Sequence, residues 1–369
     1  MTAAERIDQI DQINQIKDRK RRHVDLAVAP SSQSALDPGW DDVLLVPSSV
    51  PEVSPAQVSL ATTLLGRDLA APVVLAGMTG GHDDASELNA VLGAVAEQLG
   101  LAVGVGSQRA AFADPSLARS FAAVRDRAPG ALVIANLGAC QLIEQDGAPA
   151  LTSDDIRQAI EMVGADALAI HLNVVQEIVQ TEGDRRFDSL LEALARVVDR
   201  SPVPVLAKET GAGVSRESAV ALAAAGIAAI DVGGAGGTSF ARIEAGRASD
   251  RDDERGQRLG ATFADWGLPT ATSVLEARGA GVPIIATGGV RSGLDAVKAL
   301  ALGATAVGLG RPAMLAAQRG EAALLHELEL FLEELRTGLV LCGAPTPAAL
   351  PIPVLTGTTL AWAQQRHLV

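Results

Sequence analysis

The sequence predicts an α/β protein: a (β/α)8 barrel with an N-terminal extension. Eight short apolar runs rich in Val, Ile and Ala recur between residues 72 and 311. They are continuously hydrophobic rather than alternating, the pattern of parallel strands covered on both faces. Most gaps between them hold an Ala/Leu/Glu/Arg segment with helical spacing, such as SRESAVALAAAG at 215–226. Strands alternating with helices in this way build parallel βα units, and eight of them match a closed barrel. A doubly wound open sheet is the alternative, but it usually has fewer strands and a dominant nucleotide loop after the first.

The first four strands are expected in PVVLAGMTG (72–80), LAVGVGS (101–107), ALVIANLGA (131–139) and ALAIHLN (167–173). The second four are expected in VPVLAKET (203–210), AAIDVGG (228–234), VPIIATGG (282–289) and ATAVGLGR (304–311). Polar and glycine residues gather where each run ends: Met78 to Gly81, Ser107 to Arg109, Asn136, and His171 to Glu177. Further on come Lys208-Glu209, Gly233 to Ser239, Gly288 to Arg291, and Gly310-Arg311. In a barrel these ends converge on one rim, where active sites sit. HLNVVQE (171–177) is then read as a strand running out into a functional mouth.

Ahead of the barrel, Ile7, Ile10, Ile13 and Ile16 repeat at a spacing of three. On an α-helix that line drifts by about 60° per step, so no fixed apolar face forms. Residues 1–18 are expected to be a flexible leader, with 19–369 as one barrel domain that includes an N-terminal substrate-binding segment. The chain has 369 residues, 48% of them hydrophobic, enough for a large core. A formal charge of −14 argues against nucleic-acid or membrane-surface partners, which are themselves anionic. Two cysteines give no disulfide framework and suit a reducing compartment. With no long apolar span and no signal-peptide pattern, a cytoplasmic protein is expected.

Two stretches point to phosphate. GGVRSGLDAVKALALGA (288–304) ends the seventh strand in glycines and opens a helix, and LGRP follows the eighth. Glycine-rich backbone and a helix N-terminus offer N–H groups and partial positive charge to an anion. Each stretch alone is as well explained by a tight turn. At consecutive strand ends of a barrel they favour phosphate.

The whole set closely resembles type 2 isopentenyl-diphosphate isomerase, the flavin-dependent class. The matching segments are RKRRH (19–23), WDDV (40–43), MTGG (78–81), GSQR (106–109), ANLGA (135–139), HLNVVQE and EGDRRF (182–187). They continue with KETGAGVS (208–215), GGAGGTSFARIE, DWGLPTA (265–271), GGVRSGLDAVKALALGA and a terminal Gly357, Trp362 and Arg366. So many matches in one order are far more specific than any single motif.

The resemblance implies FMN over the barrel mouth, its ring beside Ala76, Gly77, Met78 and Thr79 and near Ser107, Asn136 and Lys208. Thr238 would lie toward its ribityl phosphate, with Gly289, Arg291, Gly310 and Arg311 around the phosphate. A cation such as Lys208 near the flavin would stabilise the negative charge of the reduced ring. The implied substrates are isopentenyl and dimethylallyl diphosphate. Arg19, Lys20, Arg109, His171 and Asn173 match the diphosphate-binding positions, and a trianion requires such concentrated charge. Glu177 matches the position that holds Mg²⁺ against the diphosphate, and Gln176 a residue near the reacting alkene. Gln176, Lys208 and His171 are the expected catalytic residues. The resemblance further implies that only reduced FMN is active, with NADPH or NADH as reductant, and that the protein is a homotetramer or homo-octamer.

Blander readings stand beside these. RKRRH reads in isolation as a solvated basic run, His171 as a satisfied core histidine, and Glu177 as a cap carboxylate. Gly77, Val174 and Phe240 depart from the family pattern, although none removes a reacting group. One rival function is another FMN barrel oxidoreductase, such as a 2-hydroxy-acid oxidase. That class needs a histidine late in the barrel, and none lies between 172 and 325. The other is a non-catalytic barrel that binds prenyl diphosphates, which would not need Lys208 and the flavin loops.

Overall fold

The computed structural model describes residues 22, 24–82 and 84–369. Arg19, Lys20 and the leader at 1–18 lie outside the described residues.

Eight parallel strands close into a barrel in chain order. They are β1 (Val73–Leu75), β2 (Ala102–Gly104), β3 (Leu132–Gly138), β4 (Ala167–Leu172), β5 (Val205–Glu209), β6 (Ala229–Asp231), β7 (Ile284–Thr287) and β8 (Ala306–Leu309). The barrel closes through β8 on β1, with Val307 opposite Val73 and Leu309 opposite Leu75. Outside it run α1 (Ala85–Leu99), α2 (Ala118–Arg127), α3 (Ser153–Met162), α4 (Leu190–Arg200), α5 (Arg216–Ala224), α6 (Thr270–Ala277), α7 (Gly293–Ala301) and α8 (Glu321–Leu341).

The strands are apolar throughout because each feeds two cores. Leu75, Val103, Val133, Leu168, Ala207, Ile230 and Ala286 pack outward against helices. Their neighbours one residue away, among them Val74, Ala102, Leu132, Ala169, Leu206, Ala229 and Ile285, fill the barrel interior. The period of two along a strand separates the sets. An antiparallel hairpin, Thr62–Leu64 with Arg67–Leu69, sends Leu64 and Leu69 into the interior cluster.

The N-terminal segment laces across the loops that follow β6, β7 and β8. Gln33 bridges Thr238, Ser34 N–H donates to Gly237 O at 2.8 Å, and Trp40 Nε1 donates to Gly289 O at 3.1 Å. The other end of the chain is pinned by buried Glu276 on α6. Its Oε1 accepts from Trp362 Nε1 at 2.7 Å and Arg366 Nε at 2.8 Å, and its Oε2 from Arg216 N–H at 2.8 Å. The Trp362 and Arg366 of the sequence motif are therefore an anchor. Among the described residues no helix is long and apolar enough to cross a membrane.

Candidate active site at the barrel mouth

The next inward position after the interior apolar layer is polar on five strands. Two residues beyond Ile134, Ala169, Leu206, Ala229 and Ile285 stand Asn136, His171, Lys208, Asp231 and Thr287. The pleat that buries one residue therefore aims the other at the floor of the mouth. Above them opens a cavity of about 450 Å³, within the range of about 300–1,000 Å³ common for small-molecule sites.

Asn136 Nδ2 donates to Val105 O at 3.0 Å, which turns its Oδ1 toward His171. His171 Nδ1 lies 2.8 Å from that oxygen. An oxygen can only accept, so Nδ1 carries the proton in the neutral ring and Nε2 is the basic nitrogen. Lys208 Nζ donates to Glu209 O at 3.1 Å and stands 3.6 Å from Asp231 Oδ2. Glu209 points to the outer face of the strand, where its Oε2 accepts the N–H groups of Gly211, Ala212 and Gly213. Burial nevertheless pushes its carboxyl up to about 7.

β4 ends at Leu172, so HLNVVQE is only partly a strand. Asn173 is the N-terminal flank of a short helix, Val174–Val179, that carries Gln176 and Glu177. Glu177 is 5% exposed. Its Oε1 accepts from Asn173 Nδ2 at 2.8 Å, and its Oε2 from Asp184 N–H at 2.9 Å. Burial raises its pKa, against the pull of the Asp184 amide. Asp184 also accepts from Gln141 Nε2 at 3.0 Å and faces Arg109 at 3.4 Å. Gln176 Nε2 donates to buried Glu244 at 2.9 Å, and Glu244 pairs with buried Arg247.

Nearly all the residues singled out from sequence line this one cavity. Ala76, Gly77, Met78, Ser107, Asn136 and Lys208 border one part of it, and Thr238, Gly289, Arg291, Gly310 and Arg311 another. Arg109, His171, Asn173, Gln176 and Glu177 line it as well. Thr79 does not: it is 1% exposed and sits behind the wall.

The helix after β7 requires a correction. α7 does not offer a free N-terminus to phosphate, because its own capping box and a side chain of α8 already take its first N–H groups. Ser292 and Asp295 form a capping box, Arg291 N–H donates to Asp295 at 2.9 Å, and Gly293 N–H donates to Glu334 at 2.6 Å. The helix Arg311–Ala317 has no side-chain cap among the described residues. A phosphate held here would rest on the glycines, on that uncapped turn, and on Arg291 and Arg311.

The cavity walls suit FMN. A Cβ at Gly288 would stand 2.2 Å from Gly234 O, and one at Gly310 2.9 Å from Met78 Sδ, so glycine lets both loops pack closely at the wall. Gly77 is demanded locally, since a Cβ there would meet Val105 O at 2.1 Å. Thr287 Oγ1, at the cavity wall, is buried without a hydrogen-bond partner among the described residues. Mg²⁺ fits more narrowly. Among the described residues no group of three metal-ligating side chains exists, so the protein would supply Glu177 while the diphosphate and water supply the rest.

Sequence reasoning missed Gln141, Asp184, Asp231, Glu244, Arg247 and Thr287. Asp231 and Thr287 had a signal, the same two-residue step past an inward apolar residue that marks Lys208. The others sit on helices and loops that approach the site only in three dimensions.

Known proteins resemble this chain in sequence and in fold. The sequence model of the FMN-dependent dehydrogenase family matches residues 143–355. The chain is 44% identical over 352 residues to the isopentenyl-diphosphate delta-isomerase of Methanosarcina acetivorans, covering 94% of each. It is 45% identical over 362 residues to that of Symbiobacterium thermophilum, covering 95% of each. Among solved structures, a flavocytochrome b2 variant with benzoylformate superposes with a TM-score of 0.63 at 18% identity, over 88% of this chain and 78% of that one. A lactate oxidase of Pediococcus acidilactici superposes at 0.61 and 17%, over 90% and 92%. At such identities the two structures speak for the fold alone. With an FMN-type barrel and close relatives along nearly its whole length, the chain belongs to the type 2, FMN-dependent isopentenyl-diphosphate delta-isomerases.

Proposed function

We propose that this enzyme interconverts isopentenyl and dimethylallyl diphosphate, using reduced FMN and Mg²⁺ with no net redox change. The observation that carries the reading is the sharing of one cavity. The Asn136–His171–Lys208 layer lines its floor, while Arg109, Asn173 and Glu177 line the same space.

In the reaction a proton arrives at C4 of the alkene and another leaves C2, so atoms and electrons balance without an oxidant. FMN, when reduced and bound, supplies an electron-rich ring that can stabilise positive charge and exchange a proton. Lys208 places a cation at the floor, where it balances an anionic reduced ring. Arg109 and His171 bind and orient the diphosphate. Glu177 would hold Mg²⁺, a hard ion that favours carboxylate and phosphate oxygens and would supply charge neutralisation for the diphosphate. Gln176 spends its N–H on Glu244, which leaves its carbonyl oxygen for another donor. An amide has no useful basicity near neutral pH, so Gln176 positions or relays a proton and does not act as a base. NADPH or NADH serves only to reduce the flavin. The chain works in the cytoplasm as a homo-oligomer.

A 2-hydroxy-acid oxidase is disfavoured because no histidine lies between 172 and 325. The test is direct. Purified protein should be yellow and, once reduced without oxygen, should form dimethylallyl diphosphate from isopentenyl diphosphate. A colourless protein unable to take up FMN supports the non-catalytic barrel instead.

A further inference from the structure

Lys208 and Asp231 are register partners on β5 and β6, each two residues past an interior apolar side chain. Asp231 is 3% exposed, and its Oδ1 accepts Gly233 N–H at 3.1 Å. Its Oδ2 faces Lys208 Nζ at 3.6 Å, an ion-pair distance rather than a direct hydrogen bond. Beneath the main cavity lies a chamber of about 20 Å³, bordered by Lys208, Asp231 and Asn136 over Leu206 and Ile285, room for about one water molecule. Lys208 borders both spaces, whereas Asp231 borders only the lower one. The carboxylate thus reaches the cofactor cavity through the lysine.

We propose that Asp231 is a positioning residue, holding the Lys208 ammonium at the floor of the flavin cavity from the chamber below. The inference rests on the FMN site proposed above. A lysine side chain is long and flexible, so a point charge at its tip is useful only where something fixes it. Glu209 O supplies one anchor and Asp231 the other. Two effects of Asp231 on a reduced, anionic flavin oppose each other. As a bare negative charge it disfavours that anion, and as the anchor of Lys208 it favours it. The sign of the response to its removal therefore tells them apart.

The experiment is to measure the two-electron midpoint potential of bound FMN in the wild type, Asp231→Asn, Lys208→Met and the double variant. Asp231→Asn should lower the potential, in the same direction as Lys208→Met. A tenfold weaker preference for reduced flavin is the expected size, about 30 mV for a two-electron couple. In the Lys208→Met background Asp231→Asn should shift the preference by less than about twofold, since the group it acts through is gone. Asp231→Glu keeps the charge but displaces the carboxylate by one methylene, and should lower the potential by a smaller amount. It carries the test if Asp231→Asn does not fold. A potential that rises or stays unchanged in Asp231→Asn, stays at the wild-type value in Asp231→Glu, or falls equally with and without Lys208 overturns the proposal. Wild-type protein that takes up no FMN instead overturns the functional reading, and this proposal with it.

Discussion

Gln176 donates its amide N–H to Glu244 across 2.9 Å, and Glu244 in turn pairs with Arg247. Gln176 and Arg247 line the cavity, and Glu244 and Arg247 are 2% and 5% exposed. The amide at the cavity wall therefore has its orientation set by a buried ion pair that it meets through Glu244.

Gln176→Asn shortens the side chain by one methylene and pulls the amide back from the alkene. A fall in kcat of roughly 10²-fold is expected, the scale of losing a positioned proton-transfer group. KM for isopentenyl diphosphate should change little, because the diphosphate is proposed to sit on Arg109 and on a metal at Glu177, away from Gln176. Steady-state kinetics beside the unaltered flavin spectrum make the check. Wild-type kcat in this variant would reduce Gln176 to a wall of the pocket.

Glu244→Ala removes one partner of a buried guanidinium. Burial already raises the Glu244 pKa, and Arg247 is the chief group that opposes this. Glu182 remains paired with Arg247 in the variant, so the loss should be near the lower end for breaking a buried pair, about 3 kcal/mol. Glu244→Gln keeps an acceptor for Gln176 and should lose less. Chemical denaturation measures both, and equal stabilities for Ala and wild type would contradict the buried-pair account.

Glu177→Gln keeps the volume and the Asn173 contact but removes the charge. Substrate use and its response to magnesium should both weaken, while FMN stays bound. Magnesium titrations of the variant decide the point: an unchanged response returns Glu177 to a role in holding the Asn173–Asp184 turn.

Glu209 should leave a mark on stability against pH. Burial raises its carboxyl from 4.5 to about 7 in the folded protein. Between those values the folded state holds a proton that the unfolded chain has released. The contribution is complete below the unfolded pKa and is lost as pH rises toward about 7. Glu209→Gln keeps an oxygen for the three backbone amides and should flatten that part of the Tm–pH profile. An identical slope in both proteins would mean that the amides hold the carboxyl ionised.

Much of this was legible in the sequence because strands of a parallel barrel are buried on both faces and read as unbroken apolar runs. Asn136, His171 and Lys208 stood out as polar residues at the ends of such runs, where burial needs a reason. Thr287 and Asp231 occupy the same step but resemble ordinary strand and turn residues. Ser292 and Asp295 carry a capping-box spacing that already satisfies N–H groups at the start of α7. Glu244 and Arg247 lie on the helix Phe240–Ser249, whose approach to Val174–Val179 is a tertiary fact. No local pattern announces it.

The most direct test of the isomerase reading is the ratio of product to reductant. Isopentenyl diphosphate, FMN and Mg²⁺ are incubated without oxygen with a limiting amount of NADPH, and dimethylallyl diphosphate and NADPH are followed together. Many products should form for each NADPH consumed, with the flavin reduced throughout turnover. Consumption of one NADPH for each product would contradict a reaction without net redox change.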